Sequence, residues 1–424
     1  MSLHVPIRRH TLDNGLRVVL SRDTTVPVVA VNLWYGVGSR NEPPGRTGFA
    51  HLFEHMMFQG SEHVPKNRHF ELVERAGGSV NATTWFDRTN YFETVPSHHL
   101  ELALWLESDR MGWMLPAMDQ DKLDNQRDVV KNERRQRYDN QPYGDWDERL
   151  HALVYPESHP YHHSVIGSMD DLDRATLDDV ADFFRTFYVP NNAVLTLCGD
   201  FDEDRALELV ARYFSEIPSR GPIPDIPGDA EVDPVIGRTV REHVRSSVPL
   251  PRVIMAARIP TFADPSFPVA EVTAAVLGTG KASRLYRRLV RERKVATDVV
   301  TYAFPLLTGA SMLFLWATGY PGSEPQELED ALAGELNALA RAGDDEVRRA
   351  VTLTETHLVR SIERVGDRAD LLSMFALYFD EPERLNEEID RLRAVTVADV
   401  RSFSARYFGP DNRAVLTYEP EVAT

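Results

Sequence analysis

The run Gly48-Phe-Ala-His51-Leu-Phe-Glu54-His55-Met-Met-Phe-Gln-Gly60 carries polar residues at a spacing suited to metal chemistry. Wound as a helix, it places Phe49, Leu52, Phe53, Met56 and Met57 at i, i+3, i+4, i+7 and i+8, which is an apolar stripe. His51, Glu54 and His55 fall together on the other side. The stripe would anchor the helix in a core and leave the polar groups projecting as one set. Histidines at i and i+4 are neighbours one turn apart, so both imidazoles can reach a single metal ion. Glu54 stands next to the second histidine, near enough to meet a water there without being a ligand. Catalytic zinc takes three protein ligands and keeps a position open for water, so a third ligand must come from elsewhere.

Other elements must hold that helix in place. Leu16–Leu20 and Val28–Trp34 read as strands on either side of a turn at Arg22–Thr25. Helical patterns follow at residues 48–59, 66–76, 97–113 and 119–138. The chain also repeats itself. Thr176, Asp179, Val180, Phe183, Phe187 and Pro190 return 220 positions later as Thr396, Asp399, Val400, Phe403, Tyr407 and Pro410. Each copy is an amphipathic helix, a Pro/Asn turn and then a buried strand, Ala193–Thr196 or Ala414–Thr417. Between the copies, Ile217–Pro234 is dense in Pro and Gly without periodicity and should be extended and exposed. The expected organisation is a half at 1–217, a linker at 218–236 and a similar half at 237–424. Strands beside runs of helices give the fold class: α+β, each half a mainly antiparallel sheet covered by helices.

Composition removes several function classes. With 42% hydrophobic residues in 424, the chain can bury real cores, which excludes wholesale disorder. No run approaches the length of a membrane helix. Acidic residues outnumber basic ones by 65 to 47, and a net charge of −18 argues against nucleic acid and favours cationic ligands. The single cysteine, Cys198, excludes an intramolecular disulfide and a Cys-based zinc ribbon, and its apolar run Ala193–Cys198 reads as core. The segment Met1–Arg9 has no apolar signal core, so the expected compartment is reducing and cytoplasmic.

His-x-x-Glu-His reverses the His-Glu-x-x-His metallopeptidase signature. On this motif the chain resembles the pitrilysin-like inverzincin metallopeptidases, in the branch that includes mitochondrial processing peptidase subunits. The resemblance implies Glu133 as third ligand, 78 residues beyond His55 in Asp124-Asn-Gln126-Arg127-Asp-Val-Val-Lys-Asn-Glu133. Many members carry a second Glu seven residues earlier; here Gln126 stands there, which removes a charge but no ligand. Thr11–Val18 looks like the family's opening strand and turn. Gly77–Tyr91 is similar to its edge strand beside the zinc, to which a substrate backbone adds as a further strand. This implies substrate contacts at Asn81 and Ala82; a plain turn-and-strand role for Asn81 and Thr83 is the other reading.

The implied activity is that of a zinc-dependent endopeptidase cleaving extended peptides inside a chamber made by the two halves. His51, His55 and Glu133 would hold Zn2+, and Glu54 would act as general base. Ala282–Asp298 resembles a segment with an Arg and, seven positions later, a Tyr that supports the developing oxyanion. Arg291 matches the Arg, but Asp298 occupies the Tyr position and Val295 replaces the usual glycine. That departure implies a dimer, either with a paralogue that carries an intact Arg/Tyr pair or with a second copy; a helix-surface cation is the plainer reading of Arg291. The rival functions are a noncatalytic subunit like the core proteins of respiratory complexes, and a zinc-dependent peptide-binding module that would not need Glu54. Two further motifs read as structure. Gly278–Ser283 lacks the earlier glycine of a phosphate loop, Ala275 standing in its place. His159-Pro-Tyr-His162-His163 reads as loop structure or pocket lining.

Overall fold

The computed structural model describes residues 4–228 and 230–421, so the start of Met1–Arg9, the linker's Asp229 and the end of the second half lie outside the described residues. In chain order the first half runs β1 (Arg8–Thr11), β2 (Arg17–Arg22), β3 (Val28–Tyr35), α1 (Phe49–Met56), α2 (Arg68–Arg75), β4 (Ser79–Thr84) and β5 (Thr89–Pro96). It continues with α3 (Leu100–Trp113), α4 (Gln120–Arg134), α5 (Trp146–Val154), α6 (Met169–Asp173), α7 (Leu177–Phe187), β6 (Ala193–Gly199) and α8 (Glu203–Phe214). The second half opens with β7 (Arg238–Ser246), β8 (Arg252–Ile259), α9 (Phe267–Gly278), β9 (Asp298–Phe304) and β10 (Ser311–Thr318). It closes with α10 (Pro325–Ala338), α11 (Asp344–Glu363), α12 (Val365–Phe379), α13 (Glu388–Arg393), α14 (Val397–Tyr407) and β11 (Asn412–Pro420).

The repeat seen in the sequence is a repeat of topology. One sheet has the order β1-β2-β6-β3-β5-β4 and the other β7-β11-β8-β10-β9. Each contains one parallel pair, β2 with β6 and β7 with β11, and is otherwise antiparallel. Strand for strand, β2, β6, β3, β5 and β4 correspond to β7, β11, β8, β10 and β9. The mixed α+β expectation holds. The repeated helices α7 and α14 start with the same device: Asp179 N–H donates to Thr176 Oγ1 at 3.2 Å, as Asp399 N–H does to Thr396 Oγ1. Each aspartate in turn accepts the threonine's own N–H. This reciprocal cap is the physical content of the Thr-x-x-Asp spacing.

From the end of α8 to the start of β7 the described residues form no helix or strand and are mostly exposed. The compact units nevertheless differ from the continuous halves. One unit comprises Met1–Arg134, Ser164–Pro227 and Arg360–Glu387; the other comprises Arg135–His163, Gly228–Val359 and Glu388–Thr424. The chain passes between units within the linker, but each half also lends one segment to the other's unit. In the first unit the lent helix α12 packs on β3 and β6. There Asp370 accepts hydrogen bonds from Asn32, Trp34 and Asn90 at 3.2, 3.0 and 3.2 Å. In the second unit the lent helix α5 packs on β11 and β8. Arg258 donates from Nε to the Val154 carbonyl at 2.7 Å there, and Tyr143 donates its hydroxyl to the Leu250 carbonyl at the same distance.

Cys198 is fully buried on β6, and burial pushes its thiol up to about 12, so it is core. Among the described residues no helix is long and apolar enough to cross a membrane.

Candidate metal centre

Helix α1 begins where Gly48 takes φ +87°, and a Cβ there would lie 2.6 Å from the Ile166 carbonyl oxygen. Only glycine fits that turn. The buried Glu42 closes the helix start, accepting the Gly48 and Ala50 N–H groups at 2.9 and 2.7 Å. Burial raises its pKa strongly, and the main-chain donors oppose that rise. A carboxylate on these donors also complements the helix dipole. Phe49, Leu52, Phe53 and Met56 are buried, while His51, Glu54 and His55 are half-buried on the opposite side, as the period requires.

Glu133 arrives from α4, which packs beside α1. The α4 end is pinned by Arg134 to the Gly167 carbonyl at 2.7 Å, and by Arg127 to the Leu172 and Ala175 carbonyls at 2.8 and 2.7 Å. Glu133 Oε2 then stands 3.8 Å from His51 Nε2 and 3.4 Å from His55 Nε2. The two imidazoles are 4.8 Å apart at 79°. One donor atom from each of the three residues lies within 4.8 Å of the others. Two imidazoles and a carboxylate converging half-buried on one point fit the donor chemistry of Zn2+ with a position left open. Gln126 is buried on α4 two turns before Glu133 and donates from Nε2 to Asn125 Oδ1 at 3.0 Å.

Glu54 points to neither histidine's partner but to β4, where its Oε2 accepts the Thr84 hydroxyl at 2.5 Å. Burial raises the Glu54 pKa; the Thr84 bond, His55 and Arg88 work against that, and Glu133 adds to it.

Strand β4 ends its sheet, pairing with β5 in the register Asn81 to Phe92, Ala82 to Tyr91 and Thr83 to Asn90. The Trp85 N–H bonds to the Arg88 carbonyl at the hairpin. Antiparallel alternation therefore turns the main-chain groups of Val80, Ala82 and Thr84 away from β5. Consistent with this, the Ala82 N–H is taken by the Asn81 side chain at 2.9 Å. Arg88 clamps the strand by donating to the Thr83 carbonyl at 2.9 Å. Arg291 is exposed on a π-helical turn, Tyr286–Glu292, of the second unit. Asp298 begins β9 and accepts the Trp316 indole N–H at 3.1 Å.

The His159–His163 turn is loop structure. His159 Nδ1 accepts the Tyr161 N–H at 3.0 Å, and His162 Nδ1 pairs with the Tyr155 carbonyl at 2.9 Å. Sequence reasoning missed three things: Thr84, Glu42 and a second His/Glu cluster. That cluster joins His69 of α2, Glu93 of β5, and Glu107 and Arg110 of α3, all buried. His69 Nε2 lies 3.5 Å from Glu93 and 4.0 Å from Glu107. Arg110 bonds Glu107 and lies over the rings of Tyr91 and Phe58 at 4.2 and 4.9 Å. Burial pushes Glu93 up to about 8 and His69 down to about 3. At neutral pH this is a neutral carboxyl and a neutral imidazole beside one ion pair. The one available signal was that Glu107 and Arg110 stand at i, i+3 on α3.

Two family models match the chain: "Insulinase (Peptidase family M16)" over residues 17–165 and "Peptidase M16 inactive domain" over residues 174–353. The zinc protease PqqE of Helicobacter pylori is 29% identical over 97% of this chain and 92% of its own. The probable mitochondrial-processing peptidase subunit beta of Arabidopsis thaliana is 22% identical over 97% of this chain and 78% of its own. Among solved structures, a protease from Helicobacter pylori superposes with a TM-score of 0.92 at 27% identity, over 98% of this chain and 100% of that one. The two M16 models together cover most of the chain and the whole-length likenesses share the two-sheet fold, so this chain belongs to the pitrilysin-like peptidase family M16.

Proposed function

We propose that this chain is a zinc-dependent endopeptidase acting on extended peptides, with His51, His55 and Glu133 holding the metal. The observation that carries the reading is a convergent His/His/Glu donor set with a further carboxylate, Glu54, beside it and held by a separate hydrogen bond. Zn2+ bound there would supply Lewis-acid polarisation of the scissile carbonyl and activation of water. Glu54 takes the proton of the attacking water and returns it to the leaving amine. The outward main-chain groups of Val80, Ala82 and Thr84 receive the peptide backbone, with Asn81 giving up its hold on the Ala82 N–H. Main-chain recognition of this kind selects extended chains over folded ones and asks little of side-chain identity. The acidic surface adds a mild preference for basic residues near the cut.

Asp298 supports a second element of the proposal. Its carboxylate would repel an oxyanion, so the cation and hydroxyl that usually assist would come from a paralogue in a heterodimer, or from a second copy, with Arg291 a contributor. Hydrolysis of unstructured peptides by the purified chain, with and without such a paralogue, tests both elements. The expected result is chelator-sensitive turnover, restored by zinc and raised by the paralogue. Chelator-insensitive turnover would overturn the metallopeptidase reading, and turnover indifferent to the paralogue would remove the partner. Zinc binding with no turnover of any peptide, paralogue present, would favour a noncatalytic or peptide-binding role.

A further inference from the structure

Thr84 stands at a junction of the site. It is the last residue of β4, and its side chain turns to the covered face of the strand, where Ala82 is also buried. Its hydroxyl donates to Glu54 Oε2 at 2.5 Å. Its own N–H and C=O belong to the set that alternation turns outward from β5. One residue therefore touches the base with its side chain and offers its main chain to an added strand. The base would otherwise be a three-torsion side chain on a half-exposed helix face, free to exchange rotamers.

We propose that Thr84 is a positioning residue that ties Glu54 to the strand on which the peptide docks, and that this bond sets the turnover rate rather than substrate affinity. The inference rests on the reading of Glu54 as general base. By occupying Oε2 the hydroxyl fixes the carboxylate's rotation and leaves Oε1 as the oxygen that accepts a proton. A docked peptide shares β4 with Thr84, so its scissile carbonyl and the carboxylate are registered against the same strand. A misplaced base lowers the rate of the chemical step without weakening main-chain docking, because those hydrogen bonds are made by backbone that the side chain does not alter.

The test is steady-state peptide hydrolysis by Thr84→Val and Thr84→Ser, with zinc content and thermal midpoint measured on each. Valine keeps the shape and the packing but cannot donate; serine keeps the donor. Thr84→Val should lower kcat by about 10- to 100-fold, the scale of one lost charge-assisted hydrogen bond, with KM and zinc content within about twofold of the parent. Thr84→Ser should recover kcat to within about threefold. Should valine fail to fold, Thr84→Ala against Thr84→Ser gives the same contrast. A kcat unchanged in Thr84→Val, or a serine variant as slow as the valine one, would overturn the proposal. A Glu54→Gln variant run alongside separates the two failures: if it is as active as the parent, the general-base reading fails before Thr84 is judged.

Discussion

The first unit contains two clusters of histidine and glutamate with nearly the same separations and very different surroundings. At His51, His55 and Glu133 the nitrogen-to-oxygen distances are 3.4 and 3.8 Å; at His69, Glu93 and Glu107 they are 3.5 and 4.0 Å. The first cluster is half-buried, so its donors can serve an ion that exchanges with solvent. The second is sealed, and Arg110 already supplies its cation. A divalent ion added there would leave Arg110 as an uncompensated buried charge, which is strongly unfavourable. Residue type and spacing alone therefore do not distinguish a candidate metal site from a sealed ion-pair cluster; burial and the buried Arg110 do.

Three perturbations separate the clusters, in descending size. His51→Ala and Glu133→Ala should each abolish zinc binding and lower peptidase activity by roughly 1,000-fold or more, while Glu93→Gln keeps both. Metal analysis with peptide assays checks this, and a Glu93→Gln protein lacking zinc would reverse the assignment. Next, Arg110→Met should destabilise the fold by about 3–5 kcal/mol, because Glu107 is left buried without its partner. Denaturant titration reads that loss; an unchanged midpoint would show that Arg110 is not the internal cation.

The smallest effect is on pH dependence. Glu93, raised from 4.5 to about 8, binds a proton in the folded state that the unfolded chain releases. Its contribution is full below pH 4.5 and is lost as pH climbs through 8. His69, lowered from 6.5 to about 3, acts in the opposite direction, losing stability as pH falls through that range. Between pH 6.5 and 8 Glu93 acts without opposition from His69, so its own contribution should fall by about 2 kcal/mol over that interval, and Glu93→Gln should make the fall shallower by that amount. Urea midpoints at the two ends of the interval decide it; an equal slope in both proteins would place the proton elsewhere.

The contrast also shows what the sequence could say. The first cluster was legible because three of its four functional residues share one short helix, where a 3.6-residue period separates the anchoring face from the chemical one. Glu133 lies on another helix, and only family resemblance pointed to it. The sealed cluster gathers residues 69, 93 and 107 from three elements, a convergence no local pattern encodes. Thr84 escaped for the same reason: the packing of β4 on α1 exists only in the folded unit. The repeat and the linker were readable because capping boxes and Pro/Gly runs are local. The exchange of α5 and α12 was not, since nothing in an amphipathic helix says which sheet it will cover.

The two halves repeat the lesson on a larger scale. After β3 the chain forms α1, with a polar face that carries His51, Glu54 and His55; after the corresponding β8 it forms α9, Phe267–Gly278, buried nearly all round. A helix apolar on every side can only fill a core. The same topological position thus carries a half-buried polar set in one half and packing in the other.

The central claim is that Glu54 performs the proton transfers at a zinc site it does not help to hold. Zinc content and peptide hydrolysis measured together on the parent and on Glu54→Gln, assayed with any partner the parent needs, test it most directly. The account predicts about one zinc per chain in both proteins, with hydrolysis in the variant lowered by about 100- to 10,000-fold. A variant that loses its zinc, or that keeps zinc and cleaves at the parent's rate, would contradict it.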